Sequence, residues 1–196
     1  SKSVARRGPA PAYPWLVSGS RIAPAPPEGS PDGGNEAGFL KRAEVRDVLA
    51  WLRLLVDPQD AAAVVRALAR PPIDLRQADL ARVIQVARRR KLDLVLGLTA
   101  ATESPQVPPE ARERIQRFVA LHRNAAAELD RVAPDVFVEH LIGWLGMRGR
   151  PLLAPAEAAE QRASLECLRM LAVDFVQSRP ESSTRELSRH LATVLS

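Results

Sequence analysis

The sequence is poor in the residues that build β-sheets, disulfide frameworks and membrane spans. Aromatic residues make up 4% of the chain, and its 196 residues include one cysteine. Because β-branched and aromatic alternation is scarce, a β-sandwich is disfavoured. A single cysteine cannot form an internal disulfide, which is typical of a reducing compartment. With no apolar run of about 18 residues and no apolar segment of a secretory signal, we expect a cytoplasmic protein without a membrane partner.

The motifs of nucleotide hydrolysis and metal binding are also missing. There is no Gly-x-x-x-x-Gly-Lys-Ser/Thr loop to cradle phosphates, and no pair of acids follows an apolar strand to hold Mg²⁺. His122, His140 and His190 lie on separate predicted helices, without the close spacing of a zinc site. We therefore expect no cofactor, no metal and no catalytic residue in this chain, which by itself is not predicted to be an enzyme.

What the chain does contain favours an all-α, multi-helix domain over residues 39–196. Its apolar fraction of 46% rests mainly on Leu, Val and Ala, the usual material of packed helices. Asp60 is a predicted N-cap, Pro109 and Pro134 are predicted helix starts, and Ser183 with Glu186 forms a predicted capping box. Helices are predicted at about 39–56, 61–69, 76–91, 92–103, 108–131, 134–146, 155–178 and 183–195.

Residues 1–38 differ in composition from the rest of the chain. They hold seven of the 17 prolines and six of the 10 glycines. Such a composition buries little surface and cannot continue a helix, so we expect an irregular segment there. Within it, the apolar residues 14–18 are compatible with a short strand.

The positive charge is concentrated in one part of the chain. The net charge is +5, and the window from Arg66 to Asp93 carries eight basic and three acidic residues, so the remainder is balanced. The basic residues are Arg66, Arg70, Arg76, Arg82, Arg88, Arg89, Arg90 and Lys91. Such a cluster is typical of a phosphate-binding surface. The alternative is a solvated helix C-terminus, where cations offset the helix dipole.

One stretch of the sequence is specific enough to indicate a family. Residues 38–60 read Gly-Phe-Leu-Lys-Arg-Ala-Glu-Val-Arg-Asp-Val-Leu-Ala-Trp-Leu-Arg-Leu-Leu-Val-Asp-Pro-Gln-Asp. This stretch resembles a signature of the UvrD/Rep-type superfamily 1 DNA helicases, in which a Leu-Ala-Tyr-Leu-Arg-Leu helix ends at Asn/Asp-Pro-x-Asp. The matching residues are Phe39, Arg42, Glu44, Asp47, Ala50, Leu52, Arg53, Asp57, Pro58 and Asp60, with Trp51 in place of Tyr. The resemblance covers roughly residues 13–196; it is strong over residues 38–66 and is at the level of pattern beyond residue 95.

The resemblance implies a place within a larger protein. Residues 13–48 would be the end of subdomain 2A, and the following residues would be the helical 2B insertion. In that family, 2B contacts duplex or junction DNA through phosphates and regulates unwinding in replication or repair. ATP and Mg²⁺ belong to the motor domains of the parent helicase, which would be the other partners of this chain.

The chain departs from the family at a turn that contacts DNA. Where the family carries Gly-Ile-Gly, with backbone close to a phosphate, this sequence has Asp74-Leu75-Arg76. Asp74 also adds a charge that repels phosphate. We therefore expect DNA contact to shift to side chains, first Arg76 and Arg82, then the basic residues 88–91.

Several prominent residues have simpler structural interpretations. Trp51 and Trp144 are more plausible in the core or at a subdomain interface than stacked on bases, and Cys167 is expected to be a small buried apolar residue. Local ion pairs at a helix start are expected for Arg42, Glu44, Arg46 and Asp47. The rival functional hypothesis is a helical protein-interaction module that recruits a repair or transcription partner.

Overall fold

The computed structural model describes residues 35–90, 94–148 and 153–194, and these described residues belong to one compact unit. The described ranges contain helices and turns and no strand, which confirms the all-α prediction. The expected strand at 14–18 lies outside the described residues. The helices are α1 (Asn35–Leu40), α2 (Ala43–Val56), α3 (Ala61–Ala69), α4 (Gln77–Arg90), α5 (Leu94–Thr102), α6 (Pro109–Glu128), α7 (Pro134–Trp144), α8 (Pro155–Ser178) and α9 (Thr184–Val194).

The beginning of the helical region differs from the prediction. Helix α1 starts at Asn35, inside the segment that was expected to be irregular, and α2 is a separate helix because Arg42 is extended (φ −64°, ψ 145°). Leu40 is buried and Phe39 packs against the core, and α1 contacts both α2 and α8. Burial of these apolar side chains offsets the low helix propensity of Gly38.

Helix α2 is the centre of the unit and contacts α1, α3, α6, α8 and α9. The sequence predicted one apolar face, but the helix is buried on nearly all sides. Its buried residues are Val45, Asp47, Val48, Leu49, Ala50, Trp51, Leu52, Leu54 and Leu55. Trp51 is only 1% exposed, and its ring centroid lies 5.1 Å from that of Phe118 on α6. Core packing of this tryptophan is thus confirmed.

The local signals for helix starts are found in the structure as predicted. The Asp60 side chain accepts a hydrogen bond of 3.0 Å from the Ala63 amide at the start of α3. At the start of α9, the Ser183 amide donates to Glu186 Oε2 (2.8 Å), and the Glu186 amide donates to Ser183 Oγ (3.3 Å). These bonds satisfy amides that have no partner within the helix.

Helices α4 and α5 pack unusually closely, and this contact positions α4. A side chain at Gly97 of α5 would place its Cβ 2.9 Å from the Cα of Ala87 on α4, and closer still to the Ala87 Cβ. Glycine is therefore required at this position by the close approach of the two helices. On the same side of α4, Leu80 and Val83 are buried in the core.

We predict that Gly97→Ala destabilises the chain by about 1–3 kcal/mol, because the helices must move apart to accept the methyl group. Gly143 in α7 is the matched control, since its nearest neighbour is the Arg148 side chain at 3.9 Å. Gly143→Ala should leave stability unchanged or raise it by up to about 1 kcal/mol through better helix propensity. Urea denaturation of both variants measures the difference, and equal effects would contradict the close-packing argument.

His122 on α6 is a titratable group in a partly apolar environment. Its ring stacks on Phe118 at a centroid distance of 6.1 Å, and its buried Nε2 has no hydrogen-bond partner within the described residues. Burial lowers the pKa of His122 because desolvation disfavours the charged imidazolium. The folded chain therefore favours the neutral ring, whereas the unfolded chain protonates it near the usual pKa of about 6.5.

This shift predicts a loss of stability in mild acid. The contribution of the neutral ring is fully present above the unfolded pKa and is lost as the pH falls toward the lowered folded pKa. His122→Gln removes the titration, so its free energy of unfolding should fall less than that of the parent chain between about pH 7.5 and about pH 5.5. Denaturant titrations at the two pH values test this, and equal losses in both chains would refute the role of His122.

Candidate nucleic-acid interface

The turn between α3 and α4, residues 70–76, is fixed by backbone hydrogen bonds and two buried side chains. The amides of Ile73 and Asp74 both donate to the carbonyl of Arg70 at 3.1 Å, and the Leu75 amide donates to the Leu68 carbonyl at 2.8 Å. The side chains of Ile73 and Leu75 are buried in the core. The α3–α4 turn therefore has a defined conformation, and α4 begins directly after it.

Asp74 occupies a backbone conformation that usually favours glycine. Its φ is +52°, in the left-handed region, and it is the position at which the sequence resemblance places the first glycine of Gly-Ile-Gly. Aspartate is one of the few residues that tolerates this region. The turn therefore adopts a left-handed backbone at this position without a glycine, which the sequence pattern did not predict.

Two arginines of α6 hold the α3–α4 turn from the other side. Arg114 Nη1 donates to the Ile73 carbonyl at 3.2 Å and also to the Asp74 carbonyl, and Arg117 Nη1 donates to the Pro72 carbonyl at 3.4 Å. No local sequence pattern predicts these contacts, because Arg114 lies about 40 residues from the turn. These cations stabilise carbonyls within the chain.

The buried carboxylate of Asp47 on α2 forms ion pairs with two arginines. The carboxylate is 3% exposed and lies 2.7 Å from Arg66 Nη2 and 3.2 Å from Arg70 Nε. Arg66 also donates to the Ala43 carbonyl at 3.1 Å. The expectation of a local ion pair for Asp47 is therefore wrong: burial of α2 turns this side chain toward α3. Arg66, a predicted DNA contact, is directed into the fold.

The expected local pairing of Arg42 is also wrong. Its Nη1 lies 2.8 Å from Oε2 of Glu160 on α8, a residue more than one hundred positions away. The pairing raises the pKa of Arg42, chiefly through the hydrogen bond to Glu160. Both partners are exposed, so the pair is expected to add little to stability. Packing of α1 and the start of α2 near α8 brings them together.

The predicted contacts at the start of α4 have carboxylate partners. Arg76 Nη2 lies 2.9 Å from Glu110 Oε2, and the two side chains are 70% and 71% exposed. Arg82 Nη1 lies 2.7 Å from Oδ1 of Asp79, whose residue is buried. The first pair is accessible to competing ions, whereas the second is anchored by a carboxylate that has little access to water.

The C-terminal half of α4 has a different charge environment. Arg88 and Arg89 are exposed, and among the described residues no carboxylate forms an ion pair with either. The side chain of Arg90 and the whole of Lys91 lie outside the described residues. The exposed positions of α4 are Gln77, Ala78, Ala81, Arg82, Gln85, Arg88 and Arg89, so this face contains no acid. The structure thus places Arg82, Arg88 and Arg89 on one helix face.

Acidic residues line a groove on the other side of the α3–α4 turn. The groove has a volume of about 280 Å³ and is lined by Pro72, Ile73, Asp74, Glu110, Glu113, Arg114 and Arg117. Three of these residues are exposed acids, and its two arginines donate to backbone carbonyls. Within the described ranges, no group of three His, Cys, Asp or Glu side chains is arranged to hold a metal ion.

Two other residues that the sequence analysis singled out, Trp144 and Cys167, are partly buried in the fold. Trp144 is half-buried and packs against the core, with its ring centroid 6.2 Å from that of Phe137. Cys167 is half-buried rather than buried, and desolvation raises the pKa of its thiol. A raised pKa disfavours the reactive thiolate. No helix in the described part of the chain is long and apolar enough to cross a bilayer.

Comparison with known proteins identifies helicases as relatives. No protein-family model matches the chain. It is 24% identical over 136 residues, or 69% of its length, to the ATP-dependent DNA helicase PcrA of Leuconostoc citreum. It is 28% identical over 110 residues (56% of the chain) to DNA helicase II of Escherichia coli strain K12. It is 23% identical over 107 residues (55%) to the ATP-dependent DNA helicase Rep of Buchnera aphidicola.

The matches cover only a small part of each relative. The chain spans 18% of the PcrA protein, 15% of DNA helicase II and 16% of the Rep protein. Relatives with three different helicase names thus match the same short chain, which also carries the signature in residues 38–60. The chain is therefore related to one part of the UvrD/Rep-type DNA helicases.

Proposed function

We propose that the chain is an accessory, regulatory subdomain of an ATP-dependent DNA helicase. In this proposal it corresponds to the end of subdomain 2A and the 2B insertion, and it contacts duplex or junction DNA through phosphates. The similarity to helicases, the all-α fold and the basic surface of α4 support the proposal. The chain would act beside the motor domains of its parent protein during replication or repair, and those domains would bind ATP and Mg²⁺.

The observation that carries the proposal is the exposed face of α4. It presents Arg82, Arg88 and Arg89 without an exposed acid, in a chain whose net charge is +5. Arginine is always charged and its planar fork matches phosphate oxygens. This face has no exposed aromatic side chain for base stacking. Contact through phosphates, without reading of base edges, is the mode that such a surface favours.

A second candidate is a protein-interaction module, and one observation on α7 favours it. Val136 is 40% exposed, and the half-buried Trp144 lies on the same helix with its ring centroid 5.8 Å from that of His140. Tryptophan is enriched in protein–protein interfaces. These residues of α7 lie on a different helix from the basic face of α4, so the two candidate functions can be tested separately.

We predict that the chain binds duplex DNA without sequence preference and that its affinity falls steeply with salt. Each phosphate contact releases condensed counterions, so the logarithm of the binding constant should fall with the logarithm of salt concentration by about 0.9 per contact. Fluorescence anisotropy with two duplexes of unrelated sequence, over a salt series from about 50 mM to about 200 mM, measures this.

The same measurement distinguishes the two candidates. Equal affinities for both duplexes and a shared negative slope would support phosphate contact. If neither duplex binds at the lowest salt concentration, or binding is insensitive to salt, the DNA proposal fails. The protein-interaction candidate would then take its place.

A further inference from the structure

The charge of α4 is divided unequally along the helix and its flanking residues. Residues 73–84 contain two arginines and two aspartates, so that half is neutral. Residues 85–93 contain Arg88, Arg89, Arg90 and Lys91 against one aspartate, which leaves +3. Of the +5 in the basic window predicted from the sequence, +3 therefore lies in residues 85–93, and the other +2 comes from Arg66 and Arg70, which pair with Asp47. This division decides where a phosphate is attracted.

At the start of α4, the cations are already engaged. Arg82 is paired with the buried carboxylate of Asp79. If the Arg82 guanidinium bound a phosphate instead, that carboxylate would be left unpaired inside the protein. Arg76 is paired with Glu110. Arg114 and Arg117 donate to carbonyls of the α3–α4 turn. A phosphate at this end would have to displace existing partners.

The same end also carries exposed negative charge. Asp74, Glu110 and Glu113 line the groove beside the turn. The N-terminus of α4 contributes only about half a positive charge to an approaching anion. The groove also contains Arg114 and Arg117, so its three acids leave a net charge of −1, which opposes that contribution and makes the groove unfavourable for a phosphate.

The C-terminal half of α4 exposes hydrogen-bond donors that have no carboxylate partner within the described part of the chain. Gln85, Arg88 and Arg89 are all exposed and lie at positions i, i+3 and i+4 of the helix. Residues at this spacing are neighbours on a helix surface. Gln85 is therefore a helix neighbour of Arg88 and Arg89, which have no carboxylate partner among the described residues. We call these three residues the α4 C-terminal patch.

We propose that the α4 C-terminal patch is the phosphate-binding site of this chain. The carboxylates beside the α3–α4 turn repel phosphates and prevent their binding there. The inference rests on the proposed function and deepens it by assigning the site on α4. It reverses the order favoured by the sequence, in which Arg76 and Arg82 came first. In this proposal the turn at Asp74 has a structural role, and DNA contacts the C-terminal half of α4.

Three double variants with equal loss of charge test the site assignment. Arg88→Gln with Arg89→Gln changes the patch, Arg76→Gln with Arg82→Gln changes the start of α4, and Arg123→Gln with Arg131→Gln changes exposed arginines of α6 and the turn after it. Duplex affinity of the full chain is measured across a salt series. The patch variant should bind several-fold more weakly, with its salt slope reduced by about 1.8, while the other two keep the parent slope.

Folding of each variant is checked by circular dichroism and thermal unfolding. Because Arg82→Gln leaves buried Asp79 without its partner, Arg76→Gln alone serves as a second variant for that end of the helix. A reduced slope in the Arg76→Gln variant, with the patch variant unchanged, overturns the inference. Equal reductions in the patch variant and the α6 variant also overturn it, because they would show that net charge alone governs binding.

A gain of binding tests the part played by the carboxylates. Glu110→Gln with Glu113→Gln removes two acids from the groove and releases Arg76. Duplex affinity should rise and the salt slope should steepen by up to about 0.9, since one arginine becomes available. Adding Arg76→Gln should abolish the gain. An unchanged duplex affinity would show that the two acids do not prevent phosphate binding at the start of α4.

Failure of this inference is distinguishable from failure of the proposed function. If the parent chain binds no duplex, the DNA function itself is refuted. If the parent binds with a steep salt dependence and the patch variant behaves as the parent does, DNA contact stands and the assignment to Gln85, Arg88 and Arg89 is refuted.

Discussion

The buried carboxylate of Asp47 connects the three elements on which the α4 surface depends. From the central helix α2 it contacts Arg66 of α3 and Arg70, the first residue of the α3–α4 turn. The Arg70 carbonyl in turn accepts the two amides that close the turn before α4. Buried ion pairs add little net stability, but breaking one leaves an uncompensated charge, so they are well suited to fixing a single arrangement. This arrangement holds the turn after which α4 begins.

Arginine has two separate roles in this chain, and its abundance alone does not define a DNA-binding surface. Arg114 and Arg117 stabilise the fold by donating to carbonyls of a turn, and Arg66 and Arg70 compensate a buried aspartate. Only a guanidinium without such a partner can bind a phosphate without first breaking a contact of the folded chain. The surface proposed to contact DNA is therefore smaller than the basic window of the sequence.

Helix α4 also depends on its contact with α5. The absence of a side chain at Gly97 allows close approach to Ala87, and the apolar side of α4 is buried through Leu80 and Val83. With one side held in this way, the opposite side must face solvent. Exposure of the arginines is thus a consequence of packing on the apolar side, and not of their own contacts.

The amino-acid sequence by itself determined the helical class, several helix starts and the relation to helicases. Asp60, Pro109 and the Ser183–Glu186 pair act within one turn of chain, so their effect is readable without knowledge of the fold. The positive φ of Asp74 is also local, but it was missed because another residue normally occupies that conformation.

Only the tertiary structure decided which charges are compensated. Asp47 and Arg66 are 19 positions apart in the sequence, and Arg76 and Glu110 are 34 apart, so their pairing depends on how α2, α3, α4 and α6 pack. An ion pair forms wherever packing brings two side chains within reach, whatever their separation along the chain. Local sequence patterns extend over one or two helical turns, and for that reason they located the basic window without showing which of its arginines are free.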